Sequence, residues 1–122
     1  DGILLELTRA EFARLLAKPL VREVETPVAK AMIEHHYVAL DVRLHEEFDE
    51  GHIPGARLIP LSQLRQRADE LDPAARYVAY CRSGRRSSVA AFLLSQLGYD
   101  VVSMAGGVLA WGDPLTEPVP ED

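Results

Sequence analysis

Apolar positions along the chain come in two rhythms. Tyr37-Val38-Ala39-Leu40-Asp41-Val42 and Tyr77-Val78-Ala79-Tyr80-Cys81 are nearly continuous apolar runs, the pattern of strands buried on both faces. Leu20 to Val24, Arg57 to Pro60 and Val101 to Ser103 read as shorter strands. Between them the spacing turns helical. Thr8-Arg9-Ala10-Glu11 has the form of a capping box, and Phe12, Leu15 and Leu16 give an apolar face to a helix over about 9–17. Thr26 as cap with Pro27 at the first helical position predicts a helix to about His35. Leu61, Leu64, Ala68 and Leu71 line one helical face with Ser62 as a reasonable cap, and a helix from Ser88 through Leu97 stops at Gly98. The polar stretch after Val42 is expected to be a loop with a helical turn, and Gly106-Gly107 to introduce a closing turn with Trp111. Alternating strands and helices of this kind predict an α/β fold, with a mostly parallel central sheet covered by helices on both faces. The expected organisation is an N-terminal helical segment over 1–21, one domain over 22–115, and a flexible, proline-rich acidic tail over 116–122.

Composition narrows the classes of function. The 122 residues carry 13 Lys+Arg against 19 Asp+Glu, a net charge of −6, which argues against a nucleic-acid-binding surface. No apolar run approaches the ~18 residues of a membrane span, so no membrane partner is expected. One cysteine cannot form an internal disulfide and no signal-peptide pattern is present, which makes a reducing cytoplasm the expected compartment. His35, His36, His45 and His52 offer no helical His-x-x-x-His pair, and no glycine-rich phosphate motif follows a strand. Neither a metal nor any other cofactor is expected.

The chemistry concentrates at one point. Cys81 is read as the final residue of a strand that feeds a loop and then a helix starting near Ser87, the place where open α/β sheets bind ligands. Arg82, Arg85 and Arg86 follow within five positions, and 11 of the 13 basic residues are arginine, whose planar fork donates bidentately to oxyanions. A lone cysteine is more often a small buried apolar residue, but three arginines beside it have no packing rationale and are explained by a bound anion. A helix N-terminus and neighbouring cations can lower a thiol from about 8.5 to roughly 3.5–7.5. Gly84 lets the backbone turn so that successive N–H groups face one concavity. Glu46 and Glu47 read as a solvated helical face, and His52 as ordering the Gly51 to Ala56 turn.

Cys81-Arg82-Ser83-Gly84-Arg85-Arg86-Ser87 resembles the active-site loop of single-domain rhodaneses, the thiosulfate sulfurtransferases. Asp41-Val42-Arg43, then Glu47-Phe48, Gly51-His52-Ile53-Pro54-Gly55-Ala56, and Gly106-Gly107 with Trp111 match that family's other signatures, over roughly 22–115. The resemblance implies a rhodanese fold in which Cys81 takes a sulfane sulfur from a small anionic donor as a persulfide, held by loop N–H groups. It implies transfer to a thiol or cyanide-like acceptor, with Gly84 and Arg86 holding the loop and Asp41 and Arg43 in the supporting framework. Two other classes are weighed beside it. A cysteine-dependent phosphatase, or an arsenate reductase, uses a similar loop, but the phosphatase signature needs five residues between cysteine and arginine, and here there are four. A non-catalytic rhodanese-like regulatory module would be expected to lack the cysteine. Upstream, Ile3-Leu4-Leu5-Glu6-Leu7-Thr8 with Phe12 and Leu15-Leu16 resembles the closing part of a cyclic-nucleotide-binding domain, which implies a longer chain carrying such a domain; the alternative reading is simply an N-terminal helix packing on the sheet.

Overall fold

The computed structural model describes residues 21–116. The helix expected over 9–17, the segment resembling a cyclic-nucleotide-binding domain and the tail beyond Thr116 lie outside the described residues. Five strands, β1 (Glu23–Val24), β2 (Val38–Asp41), β3 (Arg57–Leu58), β4 (Arg76–Tyr80) and β5 (Asp100–Met104), form one sheet in the order β1-β5-β4-β2-β3. Every pairing in it is parallel. Parallel neighbours need crossovers, and the connections carry α1 (Thr26–Glu34), α2 (His45–Glu50), α3 (Leu64–Arg67) and α4 (Arg85–Gln96).

Side chains alternate across each strand, so the two sides of the sheet make two cores. Tyr77, Ala79 and Cys81 pack with Leu40, Val42, Val101 and the α4 residues Ala90, Ala91 and Leu94. Val78 and Tyr80 face the other way, against Ala29 of α1, Ala39, Val102, Met104 and Trp111. The near-continuous apolar runs follow from this, because β2 and β4 are covered twice.

Several boundaries differ from the sequence expectations, each for a local reason. The backbone oxygen of Glu25 accepts from Ala29 N–H at 2.9 Å, so Glu25 takes the cap position and Thr26 is the first helical residue. Leu61 N–H is held by the Val42 oxygen at 3.1 Å, which starts a 3₁₀ turn (Leu61–Gln63) after Pro60 and leaves Ser62 inside the turn rather than capping a helix. The expected helix over that face is then only α3, followed by a second 3₁₀ turn (Ala68–Glu70), although Leu64, Ala68 and Leu71 are all buried.

Candidate active site

β4 is the middle strand of the five, and its last ladder oxygen, that of Tyr80, accepts from Val42 N–H at 3.1 Å. Cys81 therefore stands one residue beyond the strand rather than as its final residue, and is 1% exposed. Arg82 and Ser83 are exposed, and Gly84 then takes φ +110°, a left-handed conformation that costs glycine little. Its oxygen accepts from Ser88 N–H at 3.2 Å and closes the first turn of α4. The helix thus begins at Arg85, earlier than the Ser87 start expected from the sequence, and Arg85 and Arg86 lie in its first turn.

This geometry points backbone donors at the sulfur. Gly84 N–H reaches Cys81 Sγ at 3.1 Å and Ser87 N–H reaches it at 3.4 Å, with the Ser87 hydroxyl 3.6 Å away. Burial raises the thiol, but hydrogen bonds from the Ser87 amide and hydroxyl and from the Gly84 and Ser83 amides outweigh it and bring Cys81 below its ordinary value. The loop is also held from outside. Val108 N–H donates to the Cys81 oxygen at 3.0 Å and Leu109 N–H to the Arg82 oxygen at 3.2 Å. These donors belong to a 3₁₀ turn (Gly107–Ala110) whose first residue has φ +55°, and a Cβ at Gly107 would overlap the oxygens of Cys81 and Arg82.

The three arginines stand in different surroundings. Arg86 donates to both carboxylate oxygens of Glu47, at 2.6 and 2.9 Å, and that hydrogen bonding, against opposing burial, holds Glu47 down at about 2. Glu47 is consequently no solvated face. Its carboxylate also accepts Leu44 N–H at 3.0 Å, at the start of α2. Arg82 and Arg85 remain exposed on opposite flanks. Arg82 borders a cavity of about 480 Å³ with Glu50 and Val108, and Arg85 one of about 310 Å³ with Glu23 and Ser88.

Asp41 and Arg43 form a buried pair, 0% and 5% exposed. Arg43 Nε donates to both Asp41 oxygens at 3.0 and 3.1 Å, while Nη2 reaches Asp41 at 2.8 Å and the Gly51 oxygen at 2.7 Å. The pair ties the end of β2 to the Gly51 stretch. His52 there stacks on Phe48 with ring centroids 3.7 Å apart, and its Nδ1 lies 3.1 Å from the Phe48 oxygen.

A family model described as the rhodanese-like domain matches residues 25–113. The chain belongs to that family. It is 36% identical over 93 residues to a putative sulfurtransferase, YtwF, of Bacillus subtilis, covering 75% of this chain and 90% of the relative. It is 37% identical over 71 residues to the thiosulfate sulfurtransferase PspE of Escherichia coli, covering 57% and 68%. A crystal structure of a rhodanese-related protein from Thermoplasma volcanium superposes with a TM-score of 0.74 at 34% identity, over 78% of this chain and 97% of that one. The expected rhodanese-like α/β fold is therefore the observed one.

Within this rhodanese-like domain, the sequence missed two residues of the site. Ser103, on β5, is 0% exposed and lies 2.8 Å, hydroxyl to hydroxyl, from Ser87. A serine amid Val101, Val102 and Met104 was the available signal, since a polar group in an apolar strand must find a buried partner. Glu47 stands in the Glu47-Phe48 stretch that carries the resemblance, but nothing there names Arg86 as its partner. Among the described residues no group of His, Cys, Asp and Glu is placed to hold a metal, and no helix is long and apolar enough to cross a membrane.

Proposed function

We propose that the chain is a sulfurtransferase that carries sulfur as a persulfide on Cys81. The observation that carries this reading is the convergence of the Gly84 and Ser87 N–H groups on Cys81 Sγ at the start of α4. Rhodanese-like family membership and the sulfurtransferase names of the relatives support the activity class. With thiosulfate as donor, the Cys81 thiolate attacks the outer sulfur, the sulfur–sulfur bond breaks, and sulfite leaves with the bonding electron pair. The terminal sulfur of the resulting persulfide carries the negative charge. Loop N–H groups suit that charge, because they are fixed dipoles in a site largely closed to water. An acceptor thiolate or cyanide then attacks the terminal sulfur and returns Cys81 as thiolate.

Arg82 and Arg85, free of the Glu47 pairing, are the groups proposed to draw an anionic donor to the loop, and Asp41 and Arg43 to hold its frame. A single cysteine suits a reducing compartment such as the cytoplasm. The test is intact-mass spectrometry after exposure to thiosulfate. One added sulfur, removed by a reductant and absent in Cys81→Ser, is the expected result; an unmodified wild-type chain would refute the reading.

A further inference from the structure

Beneath the reactive sulfur lie two hydroxyls that solvent does not reach. Ser87 and Ser103 are both 0% exposed, and their oxygens are 2.8 Å apart. Each has one proton to give, so the direction of the bond between them decides what Ser87 can do for Cys81.

The choice is fixed by counting acceptors. Among the described residues, Ser103 Oγ has Ser87 Oγ as its hydrogen-bond partner. If Ser87 donated to Ser103, the Ser103 proton would be left buried without an acceptor, at a cost that buried donors rarely carry. With Ser103 donating, the proton of Ser87 is free, and two acceptors stand within its reach: the Gly84 oxygen at 3.1 Å and Cys81 Sγ at 3.6 Å. Gly84 does not depend on it. The same oxygen also accepts from the Ser88 hydroxyl at 3.0 Å and the Ser88 amide at 3.2 Å. Rotation of the Ser87 hydroxyl from Gly84 to the sulfur therefore strands no group.

We infer that Ser103 is a positioning residue that holds the Ser87 hydroxyl as a donor available to the Cys81 sulfur. With a thiol at Cys81, the S–H can donate to Ser87 Oγ while Ser87 donates to Gly84. Once that proton has passed to solvent or buffer, Ser87 rotates about its own side-chain bond and donates to the thiolate. No proton changes owner within the serine pair, so the reorientation itself needs no base. For persulfide chemistry the inference rests on the sulfurtransferase reading, but the poise of the thiolate can be measured without it.

Other charges bear on that poise, and all are fixed by the fold rather than by Ser103. They are Arg82 on the loop, Arg85 and the Glu47-paired Arg86 in the first turn of α4, and the Asp41–Arg43 pair after β2. From β5 the neighbours Val102 and Met104 contribute no charge. A change made at Ser103 thus alters the hydroxyl pair and leaves this set in place.

The experiment uses the single cysteine as its own probe: the rate of Cys81 alkylation by iodoacetamide, followed against pH. Ser103→Ala, which leaves Ser87 its proton but removes the bond that positions and polarises its hydroxyl, is expected to raise the midpoint by a few tenths of a pH unit, a fraction of the roughly one unit that a whole hydrogen bond to a charged group carries. Ser87→Ala is expected to raise it as well, and the double variant no further than Ser87→Ala alone, since Ser103 acts through Ser87. A Ser103→Ala midpoint equal to wild type overturns the inference, as does a full second shift in the Ser87→Ala background. Should the alanine variant not fold, Ser103→Thr, which keeps the hydroxyl, is read instead: it is expected to keep the wild-type midpoint, and a shift as large as that of Ser87→Ala overturns the inference. A wild-type protein that gains no sulfur from thiosulfate overturns the sulfurtransferase reading alone, because the alkylation midpoint does not involve it.

Discussion

Arg86 and Glu47, 39 positions apart, form a two-pronged ion pair that joins the first turn of α4 to the start of α2. The Arg86 charge next to Cys81 is thereby balanced by a carboxylate, and what favours the thiolate is chiefly the set of hydrogen bonds from the loop and the helix start. On this geometry the pair is proposed to act as a strut for the loop.

That strut gives a pH dependence of stability. Glu47 titrates at about 2 in the fold against 4.5 ordinarily, a depressed value whose first cause is the hydrogen bonding from Arg86. The unfolded chain takes up its proton first as pH falls, so the contribution is complete above about 4.5 and is lost as pH descends toward 2. Glu47→Gln should therefore flatten the acid limb of a urea-denaturation series in this window. Parallel wild-type and variant curves would show that the pair contributes nothing there.

The buried pair should behave differently from those on the surface. Arg43→Ala leaves the Asp41 carboxylate buried without its cation, and a loss of about 3 kcal/mol is expected. Arg22→Ala removes an exposed bridge to Asp100, with side chains 65% and 43% exposed, and should cost under about 1 kcal/mol. Equilibrium urea unfolding of the two variants measures the contrast, and equal losses would remove the framework role given to Asp41 and Arg43.

How much of this was legible depended on how far apart the interacting residues lie in the chain. The Cys81 loop could be read because its strand, its turn and its helix are contiguous, and Gly84 marks the turn. The start of α4 was misplaced by the arginines, which look like loop residues until Gly84 is seen to close the first helical turn at Ser88. Glu47 could not be assigned to Arg86, since adjacent acidic residues usually face solvent and nothing local names a partner 39 positions away. Ser103 lay in a strand recognised only by its apolar neighbours. The broken helix after Pro60 kept its apolar face legible, because burial selects the positions whether the turns are α or 3₁₀.

Loop length should decide between sulfur and phosphoryl chemistry. One glycine inserted after Ser83 displaces the Gly84 and Ser87 amides that converge on Sγ and sets five residues between Cys81 and Arg86. Sulfur transfer from thiosulfate should fall roughly a hundredfold, the scale of losing one aligned donor to a developing charge. The unmodified protein should leave aryl phosphates intact. Rapid aryl phosphate hydrolysis by the unmodified protein, with no sulfur gained from thiosulfate, would reverse the assignment.

The turn that begins at Gly107 grips the loop from behind, through the oxygens of Cys81 and Arg82, while the central strand holds it from below. The amides of Gly84 and Ser87 are consequently aimed before any ligand arrives, so little conformational entropy remains to be lost when charge settles on the cysteine. On the proposed sulfurtransferase reading, the loop backbone should then stay the same whether or not Cys81 carries a sulfur, and differences between donors would be met by the exposed guanidinium arms of Arg82 and Arg85.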